Sequence, residues 1–375
     1  MNSGNELPFE SIEDAILEAR GRVTSILSPR SGVEGDALRS LIRASWHAGF
    51  DGPSYERMGA VDGSNNSDYL TLGQVIFAVS SSLFMKDEAA IRARKYQIGV
   101  MDDYHYRERV SFCRETMEVK MALRSLSLDP EVVLMDGSLI AAVDRGLWAT
   151  PYGQKVPFYM RRILMEVEAS LGLDLTEGLV SQTHLAEVSS TLEGIIESAL
   201  EGELGRSPDR DEVRRAKAFI ERYEKLVSLN KLLKESKALL VAVAKRSGSR
   251  AYFNSRLPDM EVVRRYTSLE RGFLTPKVVK LSFPDYSGIE DSYDVTLTYA
   301  RLERGAYPLR IEVLGRMGPD EISQILGSLA KYSIRGYPYH LRVVHEMAKI
   351  GREMMAHLAR NLLVPGVSGR EVLGE

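Results

Sequence analysis

Two apolar segments of the chain each end in the triplet Asp-Gly-Ser. Asp62 follows the run MGAV, and Asp136 follows the run EVVLM. Asp-Gly often marks a tight turn, so the triplets can be explained without any function. If the two runs are neighbouring strands, however, both carboxylates emerge at one edge of a sheet. Carboxylate oxygens there would suit Mg²⁺ or Mn²⁺, and the sequence leaves both interpretations open.

A helix predicted at 105–127 offers a third carboxylate. It contains Glu115 and Glu118, about one turn apart on one face. Two aspartates and one glutamate would bind one or two cations, which activate water and stabilise the leaving oxygen in phosphodiester hydrolysis. The spacing does not choose between the two glutamates. Asp102 and Asp103, just before the helix, are interpreted as surface acids.

The C-terminal segment RGYPYHLRVVHEMAKIG adds a tyrosine and a histidine. Tyr337 precedes Pro338, so we expect it to cap the N-terminus of a helix. His345 lies two turns further on, and its neighbour Leu341 belongs to the face expected to pack inward. A histidine on that face is either a satisfied core residue or a group beside the acidic site that assists hydrolysis.

The composition is that of an ordinary globular protein, with 375 residues, 44% hydrophobic and 27% charged. A net charge of −3 means that an anionic partner must be met by local basic patches. The single cysteine, Cys113, excludes an internal disulfide framework and an all-cysteine metal site. The N-terminus has no apolar signal core, and no apolar run approaches about 18 residues, so we expect a cytoplasmic protein without a membrane segment.

The periodicity of the chain predicts a mixed α/β sheet with helices packed on it. We expect strands at 58–63, 74–80, 131–136, 238–245, 292–302 and 307–315, the last two forming a hairpin. Helices are expected at 9–28, 37–48, 105–127, 319–331 and 338–363. The segment DEAAIRARKYQIGVMDDY is ambiguous between helix and strand.

These elements divide the chain into four parts. We expect an N-terminal helical segment at 1–50, the first part of the core at 51–154, a helical insert at 155–237, and the second part of the core at 238–375. The insert is charged and amphipathic, so its apolar stripe must be buried somewhere. A symmetric partner is a common solution, and we therefore expect the insert to form a dimer contact.

An ordered set of motifs resembles the NurA nucleases. The set comprises AVDGS, the helix glutamate, LMDGSL and GYPYHLRVVHEMA. The hairpin VTLTYARLERGAYPLRIEV and the segment LLVAVAKRSGSR are similar to parts of the same family. The resemblance covers about residues 55–365, and it is the order of the motifs, rather than any one of them, that is specific.

The resemblance implies an RNase H-like core with a long helical insert, working as a homodimer. It implies an Mn²⁺-dependent nuclease, with Mg²⁺ as a second candidate ion. The expected activities are 5′ to 3′ exonuclease action on DNA and endonuclease action on single strands. The expected partner is HerA, a hexameric ATPase and translocase, in resecting DNA ends for double-strand break repair by homologous recombination.

The family pattern also implies roles for individual residues. Asp62, Glu118, Asp136 and His345 are expected to bind metal, and Tyr337 to join them in the catalytic site. Glu118 is preferred because MEVKMAL has the family's apolar residue before the glutamate and small or apolar residues after it. Glu115, one turn away, stays the alternative.

Basic residues on the strands after the insert are candidate DNA contacts. Lys245, Arg246 and Arg250 follow one strand, and Arg301 lies on the hairpin; ordinary surface charge is the competing explanation. Two other functions are compatible with the motifs. One is a non-catalytic subunit that binds DNA ends or the ATPase, although the complete acidic set favours catalysis. The other is an RNase H-like nuclease that acts on RNA–DNA hybrids.

Overall fold

A computed structural model describes most of the chain between Val33 and Asn361. The described ranges are 33–50, 52, 55–69, 73–86, 90–143, 159–171, 186–267, 269–284 and 287–361. The helix predicted at 9–28 lies outside them. Within them, no helix has the length and apolar character needed to cross a lipid bilayer.

A mixed sheet of ten strands forms the centre of the described structure. The strands are β1 (Trp46–Ala48), β2 (Met58–Tyr69), β3 (Gln74–Lys86), β4 (Ala90–Asp102), β5 (Val132–Asp136), β6 (Leu239–Ala244), β7 (Gly272–Leu274), β8 (Lys277–Ser282), β9 (Ser292–Arg301) and β10 (Leu309–Leu314). Their order is β1-β7-β9-β10-β6-β5-β2-β3-β4, and β8 also pairs with β9. Strands β2, β5 and β6 are parallel, whereas the other pairs are antiparallel.

Helices cover both faces of this sheet. They are α1 (Val33–Ser45), α2 (Tyr106–Ser125), α3 (Leu139–Ala142), α4 (Tyr159–Leu171), α5 (Ala186–Leu204), α6 (Arg210–Glu235), α7 (Asp259–Tyr266), α8 (Pro319–Lys331), α9 (Tyr339–Ala348) and α10 (Arg352–Asn361). A small hairpin of β11 (Ser333–Ile334) and β12 (Tyr337–Pro338) precedes α9.

The predicted fold class is confirmed. An antiparallel meander of β2, β3 and β4 is followed by the crossover helix α2, and then by β5 and β6, parallel to β2. This is the RNase H-like core that the family resemblance implied, extended on one side by β10, β9 and their neighbours. The run VVLM in β5 is apolar because this strand is central and covered on both faces.

Alternation along the parallel strands assigns their side chains to two separate cores. Ala60 and Leu134 pack with α8 and α9, where Leu341 is buried. Val133, on the opposite face, packs with α2 and α6, where Val119 is buried. Because Asp62 and Asp136 are each two residues beyond Ala60 and Leu134, they share the face that α9 covers.

Several predicted boundaries were wrong. The strands expected at 58–63 and 74–80 are twelve and thirteen residues long, and the ambiguous segment is the edge strand β4. The helix expected at 338–363 is two helices, because the chain leaves helical geometry after Ala348. Sheet side chains bind the backbone there: Ser80 donates to the Ala348 carbonyl and Asn66 to the Ile350 carbonyl.

Three helices, α4, α5 and α6, lie within the predicted insert and share an apolar core. Helix α6 also packs on α2 through buried ion pairs. Arg109 binds Glu221 at 2.8 Å, and Lys120 binds Glu224. The apolar residues of α6 are thus buried within the chain, and the dimer contact of the insert stays a prediction. Asp102 is not a plain surface acid, because it pairs with Arg109 at 3.2 Å.

Candidate active site

The two Asp-Gly-Ser triplets meet at the carboxyl ends of β2 and β5. The parallel register pairs Val61 with Met135, so the next residues, Asp62 and Asp136, lie side by side. Asp62 is buried, and the side chain of Asp136 is mostly buried. The sheet therefore delivers both carboxylates to one place, as the strand interpretation predicted.

A histidine from α9 completes a cluster with these aspartates. The imidazole Nδ1 of His345 lies 2.8 Å from Oδ2 of Asp62. One ligand atom from each of Asp62, Asp136 and His345 lies within 4.8 Å of the others. Such a donor set fits a divalent cation: carboxylates suit Mn²⁺ and Mg²⁺, and imidazole favours a transition metal over Mg²⁺.

The surroundings of Asp62 disfavour the charged form of its carboxyl group. Burial raises the pKa of Asp62, and the neighbouring Asp136 raises it further. The bond to His345 and the Gly63 amide, which donates to Oδ1 at 2.8 Å, act in the opposite direction. A bound cation would remove the repulsion between the two carboxylates.

Glu118 approaches the same strand from the α2 face. It lies against Gly63, where a Cβ would come within 2.5 Å of Oε1 of Glu118. Burial raises the pKa of Glu118 to about 7, although Arg114 acts against this through a 2.6 Å ion pair. The structure thus places Glu118 next to Asp62 but outside the three-residue cluster.

Glu115 points away from the cluster. One of its oxygens binds Lys225 of α6 at 2.8 Å, and the other binds Arg114 at 3.1 Å. Of the two candidate glutamates, Glu118 is therefore the one that geometry places near the aspartates.

Lys245 and Tyr337 close the other side of the site. Lys245 Nζ lies 2.9 Å from Oδ2 of Asp136 and 4.3 Å from the centre of the Tyr337 ring. Burial raises the pKa of Tyr337, and the negative charge of Asp136 raises it further, so the phenol stays protonated. Its hydroxyl makes no hydrogen bond of good geometry with the described residues, although Asp136 is close.

Two details of the C-terminal motif differ from expectation. Tyr337 does not cap α9, because it belongs to β12 and the residue before the helix is Pro338. The His345 ring does not point inward, because its side chain is 51% exposed, whereas Leu341 and Val344 are buried. His345 lies at the border of the helix, where it touches Asp62 and also faces water.

Comparison with known proteins assigns the family. The NurA domain profile matches residues 56–350. The chain belongs to the NurA domain family. A relative from Methanocaldococcus jannaschii, named "Probable DNA double-strand break repair nuclease NurA", is 25% identical over 369 residues, covering 91% of this chain and 87% of the relative.

Solved NurA structures share the fold. The crystal structure of the NurA nuclease from Sulfolobus solfataricus has a TM-score of 0.67 at 19% identity, covering 94% of this chain and 96% of that one. A crystal structure of NurA bound to dAMP and manganese has a TM-score of 0.63 at 17% identity, covering 98% of this chain and 100% of that one. The predicted family resemblance is confirmed.

The basic residues expected to contact DNA in this NurA-family chain have different environments. Lys245 belongs to the site itself. Arg246 lines a cavity of about 600 Å³ beside Tyr337, and Arg250 is exposed. Arg301 does not fit the expectation, because it is 1% exposed and donates to the Ala306 carbonyl at 2.8 Å. It supports the β9–β10 hairpin rather than a surface.

Sequence reasoning missed a buried acid that holds the second triplet in this NurA domain. Glu312 of β10 accepts hydrogen bonds from the Ser138 hydroxyl at 2.7 Å and from the Ile140 amide at 3.0 Å. Arg310 neutralises it at 2.6 Å. This network fixes the loop that follows Asp136. The available signal was the pair of charged residues within the otherwise apolar strand LRIEVL.

We expect Gly63→Ala to reduce cleavage by this NurA-family protein at least roughly tenfold, because the new methyl group would displace Glu118 and a misplacement of about 1 Å is costly in catalysis. Gly59→Ala is the matched control, since it lies on the same strand and face with 3.9 Å to the nearest atom. Rates on single-stranded DNA and Mn²⁺ affinity should be measured for both. Equal rates in the two variants would show that cleavage does not depend on the close approach of Glu118 to Gly63.

We expect His345→Ala to slow cleavage at least about tenfold, a typical contribution of an acid–base or ligand group, and to leave the melting temperature nearly unchanged. The ring is half exposed, so its loss removes little packing. Glu346→Ala, the adjacent exposed residue, is the control. A lower melting temperature with an unchanged rate per folded molecule would instead make His345 a structural residue.

Proposed function

We propose that this protein is a metal-dependent deoxyribonuclease that hydrolyses phosphodiester bonds at the cluster of Asp62, Asp136 and His345. The observation that carries the proposal is the convergence of three ligand atoms within 4.8 Å at the ends of parallel strands. Two further observations support it. The curated relative is named as a nuclease, and one NurA structure is described as bound to dAMP and manganese.

We assign different roles in the reaction to individual residues of the cluster and to Glu118. Asp62, Asp136 and His345 would hold the ion, with Glu118 beside them to bind a water or a second ion. When bound, the metal supplies an activated water and stabilises the charge that develops on the leaving oxygen. Glu118 is bound by Arg114 at 2.6 Å and lies against Gly63, the residue that follows Asp62.

Two groups are suited to the phosphate rather than to the metal. The Lys245 side chain is 41% exposed and already lies against Asp136, so it can pair with a phosphate oxygen beside the ion. Tyr337 keeps its proton at neutral pH and can donate it in a hydrogen bond to the same group. Together they would orient the scissile phosphate between the metal and the β12 edge.

Manganese is the proposed ion. The imidazole ligand favours it over Mg²⁺, and related NurA structures are described with manganese. Mg²⁺ stays the second candidate, since both aspartates suit it equally.

The wider role of the protein follows from the family rather than from the geometry. We propose 5′ to 3′ exonuclease action on DNA and endonuclease action on single strands, in DNA end resection for homologous recombination. The proposed assembly is a cytoplasmic homodimer that works with the HerA ATPase. Light scattering at micromolar concentration tests the homodimer, and co-purification with HerA tests the complex with the ATPase.

One experiment separates the candidate functions. End-labelled single-stranded DNA, duplex DNA and an RNA–DNA hybrid are incubated with Mn²⁺, Mg²⁺ or EDTA. We expect cleavage of DNA with Mn²⁺, weaker cleavage with Mg²⁺ and none with EDTA. Cleavage confined to the hybrid would identify an RNase H-like enzyme, and DNA binding without cleavage would identify a non-catalytic subunit.

A further inference from the structure

The edge strand β4 carries three exposed side chains that alternate along one face: Arg92, Arg94 and Tyr96. The register of the sheet places this face beside the metal ligands. Asp62 pairs with Ser82, and Ser82 pairs with Arg94. At about 4.8 Å between strands, the Cα atoms of Arg94 and Asp62 are roughly 10 Å apart, on the same side of the sheet.

Both guanidinium groups are held in place by aromatic rings. Arg94 lies 4.3 Å from the centre of the Tyr96 ring and donates to the Lys349 carbonyl at 3.2 Å. Arg92 lies 5.8 Å from the Phe84 ring, which in turn meets Tyr339 edge-on. Tyr96 is 43% exposed and Tyr339 37% exposed, so the surface presents ordered cations next to partly exposed aromatic rings.

The charge around these residues is positive as well. Arg342 is exposed on α9, and the exposed Lys349 directly follows this helix. Glu346 is the acid among the exposed residues of α9. The basic residues therefore extend from the edge of the sheet to the mouth of the metal cluster.

Edge strands often carry charges simply to prevent pairing with other chains. Protection of the edge would explain charged residues on either face of β4, and it explains Lys95 on the opposite face. Burial lowers the pKa of Lys95, and the nearby Arg124 and Lys120 of α2 lower it further. Edge protection does not account for arginines ordered against aromatic rings on the one face that continues into the metal cluster.

We propose that Arg92, Arg94 and Tyr96, here called the β4 strip, bind the single-stranded DNA that flanks the scissile phosphate. The arginines contact two phosphates, and Tyr96 stacks on an unpaired base. Single-stranded DNA is the expected occupant because its unpaired bases can stack on the exposed ring while its phosphates pair with the arginines. A duplex keeps its bases stacked inside and would present only its phosphates to the β4 strip. The inference rests on the proposed nuclease function and adds to it a path for the strand.

The test measures binding without cleavage. A fluorescent single-stranded oligonucleotide is titrated in EDTA at several salt concentrations, and the slope of log affinity against log salt is determined. Each lost phosphate contact on a single strand should reduce the slope by about 0.7. We expect this reduction for Arg92→Ala and for Arg94→Ala, and none for Lys95→Ala, the control on the opposite face. Tyr96→Ala should weaken binding roughly tenfold at an unchanged slope.

Arg94 needs a further control, because it also binds the Lys349 carbonyl. Arg94→Lys keeps the charge, so we expect it to retain the slope; a slope as low as that of Arg94→Ala would overturn the role of Arg94. Unchanged slopes for Arg92→Ala and Arg94→Ala, or an equal reduction for Lys95→Ala, would overturn the β4 strip. If the wild-type protein cleaves DNA in those cases, the nuclease proposal stands; if it neither binds nor cleaves DNA, that proposal fails.

Discussion

Asp62→Asn and Asp136→Asn are each expected to reduce Mn²⁺-dependent DNA cleavage roughly a thousandfold or more. A metal ion contributes several kcal/mol of charge stabilisation in such reactions, and each 1.4 kcal/mol is about a factor of ten in rate. Both carboxylates belong to the three-ligand cluster, and each leaves only two ligands when replaced. An amide keeps the shape of the side chain but not its charge.

The same substitutions should not weaken the metal-free fold. The two carboxylates repel each other, and burial together with Asp136 raises the pKa of Asp62. A neutral side chain relieves that repulsion, so the melting temperature without metal is expected to hold or rise. Asp68→Asn is the control, because Asp68 lies on β2 beyond the site.

Thermal unfolding gives a readout that does not depend on activity. An ion that binds only the folded state raises stability by about 2.7 kcal/mol at a hundred times its dissociation constant. Wild type and Asp68→Asn should show this Mn²⁺-dependent rise, whereas both site variants should lose it. Near-normal cleavage by either site variant in excess Mn²⁺ would refute the two-strand metal site.

Glu118→Gln and Glu115→Gln are expected to have opposite effects, although the two residues are one turn apart. Glu118→Gln should reduce cleavage at least about a hundredfold, because the carboxylate beside Asp62 is lost. Glu115→Gln should leave most activity but destabilise the fold by about 1–3 kcal/mol, because the buried Lys225 loses its partner. A greater loss of activity in Glu115→Gln than in Glu118→Gln would identify Glu115, one helical turn away, as the catalytic glutamate.

The pH dependence follows from burial of Glu118, which raises its pKa from 4.5 to about 7. Binding of the cation should weaken as pH drops through about 7, because the proton competes with the cation for the carboxylate, and cleavage at limiting Mn²⁺ should fall with it. The free energy of unfolding of the metal-free protein should change in the opposite direction, falling as pH rises. Between about pH 4.5 and 7 the unfolded chain releases this proton and the folded chain keeps it, so stability falls as pH rises.

The loss of folding stability above pH 7 is at most about 3.5 kcal/mol, at about 1.4 kcal/mol for each unit of pKa shift. Glu118→Gln should remove it, so this variant should melt no lower than wild type at pH 8 without metal. Arg114 then keeps Glu115 as a partner at 3.1 Å. Unfolding in denaturant at pH 5 and pH 8 measures the effect, and an identical pH dependence of stability in wild type and Glu118→Gln would contradict it.

Local patterns were enough to predict the elements that carry the chemistry. An apolar run that ends in Asp-Gly-Ser reads as a strand end in both places, and the helix at 105–127 has a clear period. The phase of that helix could not choose between Glu115 and Glu118. The choice depends on where Lys225 and Gly63 lie, and both belong to segments far away in sequence.

Other features depended on contacts that no local pattern contains. The segment of β4 was ambiguous because at the edge of the sheet one face of the strand is exposed and the other is only half-buried over much of its length. Arg301 reads as a surface cation until the Ala306 carbonyl is placed against it. The break after Ala348 follows from hydrogen bonds with side chains of the sheet, which satisfy carbonyls that a longer helix would have bonded itself.

Helix α2 links two regions of the molecule through one rigid element. Its Glu115 and Lys120 bind α6 of the insert, while Glu118, between them in sequence, lies against the strand of Asp62. Consider a ligand whose affinity for the insert depends on the position of α2. Its binding would shift α2 and so change the affinity of the site for its cation. By thermodynamic reciprocity, loading the cation would change the affinity for that ligand by the same factor.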